Sequence, residues 1–325
     1  MYDVVALGEL LIDFVQNGEN QKGNQTYEAN PGGAPCNVLA MLRKLGYKTA
    51  FIGKVGDDSF GRMLTAVLEE LDIDISGVIN DKEIPTTLAV VHNKSDGDRE
   101  FSFYRNPGAD MMLEEKEVNY EVIKRGRIFH FGSLSMTSEP VHTATKKALA
   151  YAKNEKKIIS FDPNLRIPLW RNLKEAANAV WYGIENCHIL KIADNELQWL
   201  TGETDIDNGI QVIKNKTDIP LICVTLGKKG SIAYYEDKKI YASAFVNTKT
   251  VDTTGAGDTF CACVLGSILE YGLKGLSEQK IYHMLCRANA AASIVTTQKG
   301  ALCSMPEIEE IEFLLENEGM ERKYE

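Results

Sequence analysis

Basic residues are the minority in this chain. Its 325 residues carry 36 Lys and Arg against 46 Asp and Glu, a formal net charge of −10. No basic run offsets that balance, which argues against a nucleic-acid partner, because phosphate-backbone binding needs a basic surface. A small anionic ligand is not excluded, since a few N–H groups and local cations can hold one. Cysteine is sparse and unpatterned. Cys36, Cys187, Cys223, Cys261, Cys263, Cys286 and Cys303 are odd in number and form no C-x-x-C pair. Neither a disulfide framework nor a zinc site is expected, and reduced thiols in a cytoplasmic protein are. No apolar stretch approaches the ~18 residues of a membrane span. The start, Met1-Tyr2-Asp3-Val4-Val5-Ala6-Leu7-Gly8, lacks the basic region of a signal peptide. Several catalytic templates are missing as well. There is no G-x-x-x-x-G-K-[ST], no H-R-D or D-F-G, and no H-E-x-x-H among the five histidines. Gly132-Ser133-Leu134-Ser135-Met136 is not a G-x-S-x-G elbow, and Gly53-Lys54-Val55-Gly56 does not fit G-x-G-x-x-G. Hydrolase and dehydrogenase readings lose their usual anchors.

What is present is ordinary globular usage, 44% hydrophobic and 25% charged, in a chain long enough for a large core. The length allows one large domain or two small ones. Strand-like runs at 4–7, 49–53, 128–131, 158–161, 189–192 and 221–225 alternate with helical patterns at 37–45, 60–71, 141–153, 195–200, 259–271 and 281–295. In the first helix Val38, Leu39, Leu42 and Leu45 share a face and Gly46 is a stop. This rhythm predicts an α/β fold with an open, mostly parallel sheet and helices on both faces. Two segments break it. Residues 14–28 are polar and rich in Asn, Gln and Gly. Residues 86–104 alternate around a Lys94-Ser95-Asp96-Gly97-Asp98 turn and read as a β-hairpin. They form either a small β excursion over a site or two ordinary surface loops.

Four stretches carry candidate chemistry. In Val251-Asp252-Thr253-Thr254-Gly255-Ala256-Gly257-Asp258-Thr259-Phe260, two glycines around a small Ala256 run directly into an apolar helix. Bare N–H groups and the helix's positive end then make an anion site suited to a phosphoryl group. Asp258, in the first turn, can accept a proton from an attacking hydroxyl; it also suits a mere complement to the helix dipole. Pro31-Gly32-Gly33-Ala34-Pro35-Cys36-Asn37 opens another helix. Gly32 and Gly33 permit close ligand approach, and Asn37 offers a donor and an acceptor fit for a sugar hydroxyl, or for a plain helix cap. Asp13 lies just beyond the first strand, where open sheets place ligand groups. Arg105 and Arg166 follow the hairpin and the 158–161 strand; each suits a polar or anionic substrate group or a surface ion pair. Thr225-Leu226-Gly227-Lys228-Lys229-Gly230 reads as a turn whose glycines permit unusual φ, and it could line a nucleotide pocket.

Together these motifs, in order over essentially the whole chain, resemble the ribokinase-like (PfkB) family of carbohydrate kinases. Gly32-Gly33-Ala34-Pro35-Cys36-Asn37 matches its G-G-x-x-x-N signature, and Gly53-Lys54-Val55-Gly56-Asp57-Asp58-Ser59-Phe60-Gly61 matches its G-x-x-G-x-D-x-F-G block. Asp252-Thr253-Thr254-Gly255-Ala256-Gly257-Asp258 matches D-T-x-G-A-G-D. Residues 101–110, with Phe161-Asp162-Pro163-Asn164-Leu165-Arg166 and the Gly8–Asp13 opening, look like the family's fructokinases. The resemblance implies a three-layer sandwich, one domain over 1–325, with a β-lid inserted at about 14–28 and 86–104. It implies ATP-dependent phosphorylation of the 6-hydroxyl of D-fructose, with another sugar (2-keto-3-deoxygluconate or ribose) or a non-catalytic sugar-binding regulator as rivals. Asp258 would be the base and the amides of Gly255, Ala256 and Gly257 the anion hole. Asp13, Gly32, Gly33, Asn37, Arg105 and Arg166 would hold the sugar. Thr225, Gly227, Gly230 and Asn289 would border ATP. Magnesium would arrive with ATP near Glu196, and potassium, bound by many members, would match Asp252, Thr254 and Ser304. The family's N-x-x-E element here reads Ala193-Asp194-Asn195-Glu196, so its Asn is absent and compensation by Asp194 or Asn195 is open. A lid face exposed on one side leaves a homodimer and a monomer equally compatible.

Overall fold

Period-two alternation in the buried strands divides the core into two halves, one on each side of a single sheet. The computed structural model describes residues 1–93, 99–245 and 249–318. Along the chain run β1 (Tyr2–Leu7), β2 (Leu11–Glu19), β3 (Gln25–Gly32), α1 (Ala34–Lys44), β4 (Thr49–Gly56), α2 (Ser59–Glu70), β5 (Asp74–Asp81), β6 (Leu88–Asn93) and β7 (Arg99–Tyr104). There follow α3 (Tyr120–Lys124), β8 (Gly126–Gly132), α4 (Val141–Asn154), β9 (Ile158–Asp162), α5 (Leu173–Asn186), β10 (Ile189–Ala193), α6 (Asp194–Thr201), α7 (Ile206–Lys214) and β11 (Leu221–Thr225). The remainder is β12 (Ser231–Tyr235), β13 (Lys238–Ala242), α8 (Ala256–Tyr271), α9 (Glu278–Val295) and α10 (Ile308–Glu318).

The large sheet has nine strands in the order β13-β12-β11-β10-β9-β8-β1-β4-β5. It is parallel from β11 to β5, and β12 and β13 add an antiparallel edge. In β1, Val4 and Ala6 pack with α1 and α8 residues such as Leu39, Leu42 and Val264. Val5 and Leu7 face the other way, into a cluster with Leu149, Val180 and Ile184 of α4 and α5. The result is the expected α/β sandwich of ribokinase-like type. α8 is buried along almost its whole length, because it lies between α1 and α9 and packs into the core on that side of the sheet. The chain leaves β1 toward β4 on one side and later returns at β8 on the other. Such a switch point opens a crevice at the strands' carboxyl ends.

A second sheet, ordered β3-β2-β6-β7, stands apart from the first. Here the structure is richer than the sequence pattern. Residues 14–28, polar and open to reading as a β excursion or a surface loop, form most of two paired strands and the turn between them, with Val15 opposite Glu28. One face of this pair is solvated, so the apolar alternation that signals a strand is weak. β6 and β7 pair antiparallel as the hairpin reading requires; its turn at 94–98 lies outside the described residues. Strand β5 and helices α5, α7 and α10 were not legible either; β5 is a half-exposed edge strand lacking a clean apolar alternation.

The Gly53–Gly61 block turns out to be a joint. Asp58 caps α2 by accepting from Gly61 N at 2.8 Å, and the same carboxylate accepts from Thr86 N and Thr86 Oγ1, both at 2.8 Å. Thr86 Oγ1 in turn accepts from Gly56 N at 3.0 Å. One carboxylate thus pins the base of β6 to the end of β4, and these backbone bonds, after the opposing effect of burial, hold it below the ordinary carboxylate range. Asp58→Ala is expected to lower stability by about 1–2 kcal/mol, the usual loss for a helix cap. Urea unfolding measures it, and an unchanged midpoint would show that the joint is not held by this side chain.

Candidate active site

Two cavities of about 290 Å³ each lie at the carboxyl ends of the strands. The first is lined by Glu9, Asp13, Gly33, Asn37, Asn164, Arg166, Lys191, Gly255, Gly257 and Asp258, among others. Thr225, Gly227, Gly230, Ala256 and Asn289 belong to the second, together with Phe245, Ala292 and Ser293. Thr253 and Gly257 line both cavities. The start of α8 is therefore the place where the two spaces meet. Its cap residue Gly255 has φ 81°, and a Cβ there would come within 2.4 Å of Ala301 Cβ. Only glycine lets the chain turn into the helix at this point.

Asp258 sits one residue past Gly257 and is buried. Its Oδ2 accepts from Asn37 Nδ2 at 2.8 Å, while Asn164 Nδ2 approaches Oδ1 at 3.5 Å. Burial raises its pKa above the carboxylate range, opposed by the Asn37 hydrogen bond and by the charges of Lys191 and Arg166. A raised pKa makes the carboxylate a better proton acceptor than an exposed aspartate. Asn37 reaches it because Gly33, φ 127°, starts α1 hard against the β1–β2 turn. A Cβ on Gly33 would meet Glu9 O at 2.4 Å. Gly32 makes room of another kind: a Cβ there would lie 2.3 Å from Asp13 Oδ2. It shapes the Asp13 side chain and is not itself on the cavity wall.

Two expected contacts need correction. Arg105 is buried and off the wall of either cavity. Its guanidinium is paired with Asp110 at 2.7 Å and donates to Thr137 Oγ1 at 2.9 Å and Leu134 O at 3.1 Å. It braces the segment that follows β7, because a buried guanidinium must satisfy its donors. Glu196 is also committed. Oε1 accepts from Leu165 N at 2.7 Å and Oε2 from Ala193 N at 2.9 Å, so both oxygens tie backbone together at the start of α6. Ala193 serves here through its backbone N–H alone. Ser304 donates to Lys299 O at 2.6 Å, which keeps its oxygen lone pairs as acceptors, but it does not line the small space beside Asp252. Asp252 and Thr254, by contrast, line a third space of about 20 Å³ with Asp13, Asn30 and Gly300. Among the described residues no group of three or more His, Cys, Asp or Glu is placed to hold a metal ion.

Two polar residues on the wall were missed. Glu9 is buried, accepts from Ala34 N at 2.9 Å, and has its pKa pushed up to about 7, chiefly by burial. Lys191 is paired with Asp162 at 3.0 Å. Both occupy otherwise apolar runs, and a charged residue within a buried strand pattern is the signal that could have found them. Asn289 lies where expected, but its Nδ2 donates to Ala242 O and Ser243 O, both at 3.1 Å, and fixes the end of β13.

A buried carboxylate of raised pKa, between two cavities at a helix start, has the parts that phosphoryl transfer on an α/β fold needs. The chain belongs to the pfkB family of carbohydrate kinases, whose model matches residues 1–308. It is 40% identical over 314 residues to a probable fructokinase-2 of Arabidopsis thaliana, covering 96% of this chain and 95% of that one. It is 40% identical over 315 residues to fructokinase-1 of Zea mays, covering 96% and 97%. Among solved structures it superposes on a fructokinase with bound ATP from Xylella fastidiosa at a TM-score of 0.89 and 26% identity, covering 98% of this chain and 100% of that one. A fructokinase from Vibrio cholerae O395, in fructose, ADP and calcium ion bound form, gives 0.87 and 30%, covering 97% and 99%.

Two outcomes follow for Asp258. Asp258→Asn keeps an acceptor for Asn37 but loses the base, and kcat is expected to fall on the order of 10²-fold or more. In the parent enzyme the base works only when ionised. With its pKa raised, the acid limb of kcat/KM lies above the ordinary aspartate value of 3.8. A pH–rate profile checks this, and a limb at the ordinary value tells against Asp258.

Proposed function

We propose that this kinase transfers the γ-phosphoryl group of ATP to the 6-hydroxyl of D-fructose, giving fructose 6-phosphate and ADP. The observation that carries the reading is Asp258, bonded to Asn37 beside Gly257, one of the two residues that line both cavities. The sugar occupies the first cavity, with Asp13, Asn37 and Arg166 around its hydroxyls. ATP occupies the second, along Thr225, Gly227, Gly230 and Asn289. Asp258 accepts the hydroxyl proton as the oxygen attacks the γ-phosphorus. The bond to the bridging oxygen of ADP breaks, and the start of α8 holds the transferring group through the amides of Gly255, Ala256 and Gly257. The naming of the relatives as fructokinases supports fructose as acceptor.

Magnesium enters with the ATP phosphates, whose oxygens supply most of its ligands; with Glu196 committed to backbone, the protein offers no dedicated cage for it among the described residues. A monovalent cation fits better. The Asp252 carboxylate and Thr254 border a space about one water in size, close to the anion site. Potassium there adds positive charge near the phosphoryl group. The four-stranded sheet acts as a lid that closes over the sugar and excludes water. The enzyme works in the cytoplasm, and a second copy pairs, where it does, on the lid's outer face, which exposes Tyr27 and Tyr104.

An ADP-release assay over a panel of free sugars, with and without potassium, tests the assignment. Fructose is expected to be turned over best and potassium to stimulate. Preference for 2-keto-3-deoxygluconate or ribose would reassign the acceptor, and no turnover of any sugar would leave a non-catalytic binder. Arg166→Ala is expected to raise the sugar KM with little change in kcat. An unchanged KM removes Arg166 from the sugar.

A further inference from the structure

The Lys191–Asp162 pair is a buried charge arrangement that the proton transfer by Asp258 does not use. Lys191 lies in β10, a strand of otherwise apolar residues. Its neighbours Leu190 and Ile192 face the core beneath α4 and α5, while Ile189 faces the α8 side. Alternation places Lys191 on the α8 side with Ile189, opposite Cys223 of β11. Its Nζ is 3.0 Å from Asp162 Oδ2 and 3.2 Å from Oδ1. The side chain is only 7% exposed.

That ammonium has a particular position. A Cβ built on Gly257 would lie 2.9 Å from Lys191 Nζ, so the charge stands directly over one of the two residues that line both cavities. It also lines the acceptor cavity beside Asp258. Of the two cations on that wall, Arg166 is exposed and Lys191 is buried. Burial works against its charge, but Asp162, Glu196 and Asp258 together outweigh it and keep the group protonated. The three carboxylates in turn make the site hostile to an incoming phosphoryl anion, and one fixed ammonium offsets part of that repulsion.

A purely structural ion pair explains the arrangement poorly. Burying two charges costs more than packing apolar groups of similar size, unless the pair has other work. Ile189 and Cys223, on the same side as Lys191, show that apolar groups fit this sheet face.

We propose that Lys191 is a further catalytic residue, whose ammonium binds an oxygen of the phosphoryl group as it crosses from nucleotide to acceptor. Asp162 is its positioning residue: it fixes the ammonium over Gly257 and takes no proton from it. Lysine suits this place as a compact point charge with three donors, of which Asp162 occupies only part. The inference rests on the kinase reading above.

The test separates the catalytic role from a packing role. Lys191→Met alone leaves Asp162 unpaired in the core, so the informative variant is Lys191→Met with Asp162→Asn, which removes both charges. Thermal melting of the double variant is expected to match the parent within a few degrees. Its kcat on the sugar that the parent turns over fastest is expected to fall about 10²-fold, the usual loss for one transition-state donor. KM for sugar and ATP should change little, and affinity for ADP with aluminium fluoride should fall while affinity for ADP alone holds. Lys191→Arg keeps a cation for Asp162 and carries the test where the neutral pair does not fold; there kcat is expected to drop at least tenfold with both KM values kept. Near-parental kcat in either folded variant overturns the proposal and leaves the pair structural. An inactive parent, by contrast, removes the kinase reading itself and this proposal with it.

Discussion

The burial of one carboxylate at the start of α8 governs the architecture around it. An ionised aspartate out of water is costly unless neighbours compensate. Here the compensation comes from distant parts of the chain. Asn37 arrives from α1, Asn164 from the loop after β9, Lys191 from β10 and Arg166 from the cavity mouth. Each exists at that point only because a parallel sheet ends its strands along one edge. The compensation is incomplete, so the carboxyl's pKa stays above its ordinary value.

The same edge explains the glycines. Gly33 and Gly255 both start helices with positive φ, and both stand where a Cβ would collide with a neighbouring segment. One brings Asn37 to the base; the other turns α8 so that its first amides face the joint of the two cavities. Helix starts, not side-chain clusters, make this site fit for a phosphoryl group.

Some family-like motifs proved to be architecture. Asp58 links α2 to the base of the small sheet, and Arg105 braces the segment below it through Asp110. Asp110 also accepts from Thr87 Oγ1, at the foot of β6. The small sheet is thus rooted by two carboxylates, half-buried Asp58 and buried Asp110, neither of which lines a ligand cavity. Glu196 likewise serves the backbone, which accounts for the tolerance of Ala193 beside it: the element needs an N–H there, and every residue but proline supplies one.

The sequence by itself determined six strands of the large sheet, six of its helices and the two helix-start loops, because apolar periodicity and glycine placement are local properties of the chain. It also carried Asp258, Asn37 and the Gly255–Gly257 turn, since each lies within a short motif. It did not determine which of two arginines faces the cavity, because Arg105 and Arg166 have equivalent local settings. Their difference is one buried partner, Asp110, and that contact depends on the fold. Nor did it place Glu9 and Lys191 in the site, or resolve β2 and β3 out of a polar stretch. Those depend on which strand ends lie side by side, which only the assembled sheet decides.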